Sequence, residues 1–230
     1  MPFWKKKPKV DQSLTFKQRV ADFWKWFPSV ADEFYQTIEE GNCGDLQPQT
    51  THAVHKMWER FAWVYGPGDD EKGGHSLTVS GEGIKARQFL AEYWLSQAPE
   101  LDNWTFHSSR QPGMFESHLE LDIGGIKFAF GGFWITPELD EERQVVHITA
   151  WHPGFEQAEE SQKQTALFIL LDEILGEYGT DQWLGAIETS DDRLADAIPG
   201  LELREYLHDL EIKHGWKKYP PTQTFSTYEC

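Results

Sequence analysis

Leu119-Glu120-Leu121-Asp122-Ile123-Gly124-Gly125-Ile126-Lys127-Phe128-Ala129-Phe130 decides the fold class. Leu119, Leu121 and Ile123 alternate with Glu120 and Asp122, and Ile126, Phe128 and Phe130 alternate with Lys127 and Ala129. Period two is the signature of a strand with one face buried. Gly124-Gly125 supplies the positive φ that two-residue hairpin turns need, so the stretch predicts a β-hairpin. C-terminal to it, Phe133–Ile135 is expected to continue the sheet after Gly131-Gly132, 136–142 reads as an acidic loop, and Val145–Trp151 as a strand. A long apolar helix is expected over about 157–176, carried by Ala166-Leu167-Phe168-Ile169-Leu170-Leu171, then a strand at Trp183–Glu188 and a helix at about 201–213. N-terminal to the hairpin, Ser76–Ser80 and Trp104–His107 read as strands flanking a helix at about 83–97.

Farther upstream the period changes to that of a helix. Phe16, Val20, Phe23, Phe27, Val30, Phe34 and Ile38 form one stripe that stays in phase across Pro28, predicting a single kinked helix over 14–40. Val54, Met57, Trp58, Phe61, Ala62 and Tyr65 predict a second helix from about Thr50 to Tyr65, stopped by Gly66-Pro67-Gly68. Hairpins with few helices argue an α+β fold: a largely antiparallel sheet, helices on one face, ferredoxin-like in outline with an inserted hairpin, plus an N-terminal helical hairpin. The expected division is a basic tail at 1–12, the helical hairpin at 13–66, an α+β body at 75–213 packed with it as one unit, and a loose tail at 214–230.

The formal net charge is −17, and it is uneven. Without the four lysines of the first ten residues and the net +1 of residues 211–230, the remainder carries −22. So acidic a body repels phosphate backbones, which argues against nucleic-acid binding and would draw a basic protein partner. Two cysteines, one of them the last residue, make no disulfide framework. No apolar run approaches the ~18 residues of a membrane span. The N-terminal MPFWKKKPKV lacks the apolar segment of a secretory signal, so a cytoplasmic protein is expected.

Three sets of side chains could carry chemistry. His52, His55 and Glu59 fall at i, i+3 and i+7 of the second expected helix, the donor types of a zinc or nickel site, although that face points away from the apolar stripe. His147 shares a strand face with Val145, Thr149 and Trp151, and His152 opens the turn His152-Pro153-Gly154; a strand-end histidine can serve as a general base. Glu173 projects near Ala166, Ile169 and Leu170, where an apolar surrounding would raise a carboxyl pKa toward that of a general acid. Trp26, at the edge of its stripe, and Trp216, in the tail, could stack on sugars or peptides, although most of the 11 tryptophans fall on core faces. The chain has no phosphate-binding P-loop, dinucleotide-binding glycine pattern, nucleophile elbow or HExxH zinc motif, so no cofactor is expected.

Leu170-Leu171-Asp172-Glu173-Ile174-Leu175-Gly176-Glu177-Tyr178, followed by a strand at Trp183–Glu188, resembles the LLDE-x-LGE-like helix end of a family of uncharacterised bacterial cytosolic proteins. Phe23-Trp24-Lys25-Trp26-Phe27 and the approach from Pro99 to Trp104 also fit, so the resemblance spans about 14–210. It implies a domain of unknown function and carries no catalytic residue. The expected function is a non-enzymatic protein-binding or regulatory module, of the immunity-protein or anti-regulator kind. A small enzyme built on His147, His152 and Glu173 is the alternative.

Overall fold

The computed structural model describes residues 10–69, 73–113 and 118–216. The basic start at 1–9 and the ending at 217–230 lie outside them. The chain forms two compact units, the first ending at Arg110 and the second beginning at Gln111. The fold is α+β, as the strand and helix periods predict.

In the first unit α1 (Phe16–Glu39) runs continuously through Pro28 and starts at a capping box, Thr15 with Gln18. After a short 3-10 turn comes α2 (Gln47–Met57), then β1 (Ala62–Asp69), β2 (Gly73–Ser80), α3 (Lys85–Ser96) and β3 (Trp104–His107). β1 and β2 are antiparallel and β3 runs parallel to β2, in the order β1-β2-β3. Phe23, Phe27 and Phe34 of α1, Val54 and Met57 of α2, Leu77 and Val79 of β2, Trp94 of α3 and Trp104 of β3 share one core. The boundary expected at residue 66 is therefore not where the chain divides, because the aromatic stripe of α1 is spent on β1–β3 and α3. Trp24 and Trp104 each fill the core with the ring while the N–H reaches a backbone carbonyl. Trp24 stacks on Trp94 with ring centroids 4.9 Å apart, and its Nε1 donates to Trp94 O at 2.8 Å.

Residues 58–65 correct one expectation. Trp58 already has extended backbone, and Ala62–Asp69 is a strand, not the last turns of a helix. Trp63 and Tyr65 alternate inward while Val64 is 47% exposed. Tyr65 and Trp63 then hydrogen-bond to Thr50 and Thr51 of α2. Phe61 and Tyr65 fit both periods while Trp63 fits only the strand, and pairing with β2 selects the strand. Pro67 is tolerated because β1 is an edge strand.

The second unit opens with β4 (Glu120–Ile123) and β5 (Ile126–Ala129), the predicted hairpin, with φ +63° at Gly124 and +87° at Gly125. There follow β6 (Trp134–Asp140), β7 (Val145–Trp151), α4 (Glu160–Trp183), β8 (Leu184–Thr189), β9 (Ile198–Pro199) and α5 (Leu203–His214). The order is β8-β7-β6-β9, with β7 antiparallel to β6 and parallel to β8. The expected acidic loop at 136–142 is thus mostly strand. Pro137 does not break it, because among the described residues β9 pairs only with Trp134 and Ile135 and no strand pairs with the rest of that edge of β6. α4 is broken at Gly176 (φ +70°), where Thr180 Oγ1 donates to Gly176 O at 2.9 Å. Ile135, Val146, Ile148 and Ala150 pack against Leu167, Leu170, Leu171 and Ile174 of α4 and Leu203 and Leu207 of α5.

Among the described residues three sheets thus replace the single expected one. Both units repeat one plan: an antiparallel strand pair, a helix, then a strand parallel to the second.

Candidate binding site

β7 buries Val146, Ile148 and Ala150 and turns Val145, His147, Thr149 and Trp151 to its other face, where they are partly exposed. Register aligns that face across strands: Trp134 with Trp151, Thr136 with Thr149, Glu138 with His147, and Asp140 with Val145. Glu188 of β8 stands beside Thr149. The result is an aromatic pair continuing into threonines and then carboxylates. Neither tryptophan joins the core of its unit. The loop after β8 leans on the pair, with the Arg193 guanidinium 3.1 Å from the centre of the Trp134 ring and Trp151 Nε1 donating to Asp191 O at 3.1 Å. Glu138, Glu141, Glu142, Asp191 and Asp192 are exposed on the face or the segments bordering it.

His147 is fixed by a strand irregularity. The β7–β8 register shifts between Val146 and Ile148, and the Ala186 N–H donates to His147 Nδ1 at 2.8 Å. The proton is therefore on Nε2, which faces Asp140 Oδ2 at 3.5 Å. The Arg143 amide, donating to Asp140 at 2.9 Å, holds that carboxyl below its usual range, and His147 adds to the effect. A Cβ on Gly185 would lie 2.5 Å from His147 Nδ1. Gly185→Ala should therefore push the ring off the Ala186 amide and cost about 1–3 kcal/mol. Thermal unfolding and exchange of the Ala186 amide report it, and an unchanged melting temperature with unchanged exchange would refute this role for the ring.

His152 is 3% exposed. Its Nδ1 accepts from Gly154 N–H at 2.9 Å, so Nε2 carries the proton toward Ala129 O at 3.2 Å. Burial pushes its pKa down, partly offset by the bond to Ala129. Glu173 lies on α4 beside Gly113, whose N–H donates to the Glu173 carbonyl at 2.8 Å. Among the described residues no hydrogen bond or ion pair joins any two of His147, His152 and Glu173. Each imidazole has Nδ1 accepting a backbone N–H and Nε2 directed at an oxygen within the protein.

His52, His55 and Glu59 are not brought together either. α2 ends at Met57, so Glu59 leaves the helical phase, and among the described residues no group of three His, Cys, Asp or Glu side chains is placed to hold a metal ion. No described helix is long and apolar enough to cross a membrane.

Trp134, Arg193 and the pairing of the two tryptophans escape the sequence reading. The signal was half present: Trp151 shares the His147 face, but Trp134 joins it only through the β6 register, which Pro137 disguises.

Fold and site together define a two-unit α+β protein whose second unit carries an aromatic and acidic sheet face. No protein-family profile matches the chain, no curated protein matches it, and no solved structure matches it.

Proposed function

We propose that this chain is a non-enzymatic binding module of the bacterial cytosol that engages a basic protein through the outer face of β6, β7 and β8. The observation that carries the reading is the Trp134–Trp151 pair, outside the core and bordered by carboxylates. Large aromatic side chains at the centre of a surface with a polar rim are the usual anchors of a protein interface. Arg193 on Trp134 demonstrates the recognition chemistry inside the molecule, a guanidinium stacked on an indole. A partner's arginine on Trp151 would repeat it, and the −22 body would speed encounter with such a partner. The engaged imidazoles of His147 and His152 weigh against the enzymatic alternative.

A short arginine–glycine peptide and its glutamate–glycine counterpart test the proposal by titration calorimetry at low and moderate salt. The arginine peptide should bind, weaken as salt rises, and lose about tenfold in affinity with Trp151→Ala. The charge-reversed pair Glu138→Lys and Glu188→Lys should weaken it comparably without disturbing the core. Equal binding of both peptides, or binding indifferent to all three substitutions, would rule the face out.

A further inference from the structure

In the first unit a cleft of about 340 Å³ lies between α1 and α2. One wall is Arg19, Asp22, Phe23 and Trp26, at i, i+3, i+4 and i+7 of α1, and the other is Gln49, His52, Ala53 and Lys56, with the same spacing on α2. Helical periodicity therefore aims both sets into one groove, with Leu14 and Asp11 closing an end. The volume is that of a small-molecule site. Trp26, Phe23, Ala53 and Leu14 give it apolar surface.

Arg19 gives it a fixed charge. Its Nε donates to Met57 O at 2.9 Å, and Nη1 donates to the carbonyls of Leu14 and Asp11. Three backbone carbonyls orient the guanidinium, and its charge acts on the Asp11 carboxylate without an ion pair at contact distance; among the described residues Nη2 donates to no protein acceptor. Of the two acids at the cleft, Asp11 accepts from the amide and hydroxyl of Ser13, and Asp22 faces Lys25 at 3.7 Å. Lys56 and His52, exposed on the opposite wall, add donors on the side facing Arg19.

A preoriented guanidinium with one nitrogen to spare, a lysine across from it, and an indole beside them fit one kind of ligand. We infer that the α1–α2 groove binds a small amphipathic carboxylate, its anionic end between Arg19 and Lys56 and its apolar body against Trp26 and Phe23. The residues of this site all belong to the first unit. It also assigns a role to His52 and to the edge position of Trp26 that requires no metal.

The test titrates the full chain with 2-naphthylacetate and with its neutral primary amide, by calorimetry. The acid should bind at least about tenfold tighter than the amide, which converts to about 1.4 kcal/mol. Lys56→Ala, a change at an exposed helix position, should narrow that ratio to a fewfold. Ala53→Leu, which fills the groove wall, should abolish binding of both, with the circular dichroism spectrum unchanged. Equal affinity for acid and amide, no binding of the acid at about millimolar concentration, or full binding to Ala53→Leu would each overturn the inference.

Discussion

His152→Ala should lower the stability of the second unit by about 4 kcal/mol, the largest loss expected of any single change considered. The ring is 3% exposed and lies 4.6 Å from the Phe133 ring and 5.3 Å from that of Phe128, centre to centre. Truncation opens a cavity among these aromatics, a cost of about 3–5 kcal/mol for comparable rings. It also strands the Gly154 N–H and the Ala129 carbonyl, both of which His152 satisfies. Two effects thus act in the same direction, and partial collapse of the site offsets some of their sum. Because the chain has two units, hydrogen exchange of the β4–β9 amides is the suitable measurement, with the first unit as internal reference. A loss under about 1 kcal/mol would show that the two hydrogen bonds and the ring packing are not what hold this corner. The pH dependence has a definite sign. The folded pKa of His152 is depressed below 6.5, so its stabilising contribution is full above that pH and is lost as pH falls toward the folded value.

Glu92→Gln should do the opposite in the first unit, raising stability by about 3 kcal/mol at pH 8. Glu92 is 1% exposed on α3, and burial raises its pKa from 4.5 to about 7. Among the described residues its Oε2 has no hydrogen-bond partner, and neither does Nε2 of Gln88, one turn earlier and 4% exposed. Below pH 4.5 the carboxyl is protonated in folded and unfolded chains alike and costs little. Between 4.5 and about 7 the folded chain keeps a proton that the unfolded chain has released, so stability falls as pH rises. Above 7 the full penalty remains, and glutamine removes it. Denaturant unfolding at pH 4.5 and pH 8 should show variant and parent nearly equal at the lower pH and well separated at the higher. Equal midpoints at pH 8 would mean that the carboxylate is solvated or paired in the fold. Nothing in the hydrophobic pattern of 83–97 announces this residue, because a carboxylate on an otherwise amphipathic helix reads as solvent-facing until packing is known.

The two largest effects thus fall on residues the sequence reads differently. His152 enters as a candidate base and emerges as a bridge between the His152-Pro153-Gly154 turn and the end of β5. Glu92 passes unnoticed. Both outcomes have one cause: the role of a polar side chain depends on which atoms lie within about 3 Å of it, and those atoms come from distant segments. Ala129 is 23 residues from His152, and the Ala186 amide that holds His147 is 39 residues away.

What the sequence determined by itself is whatever short-range periodicity and turn chemistry encode. The Leu119–Phe130 hairpin follows from strict alternation around Gly124-Gly125, which supplies the positive φ its turn requires. The long apolar helix follows from a run that only a buried helix face can use, and with the hairpin it establishes the α+β class. The charge asymmetry needs no structure at all. Only the tertiary structure decided whether 58–65 would be helix or strand, how the strands divide among three sheets, and where the two cores part. It alone set Trp134 against Trp151 and tied Arg19 to three carbonyls beside a cleft. Residues such as Phe61 and Tyr65 satisfy both periods, and pairing of the following strand with β2 broke the tie. Strand register and the partners of buried polar groups are long-range properties, fixed by which segments bury one another and not by what any one of them prefers.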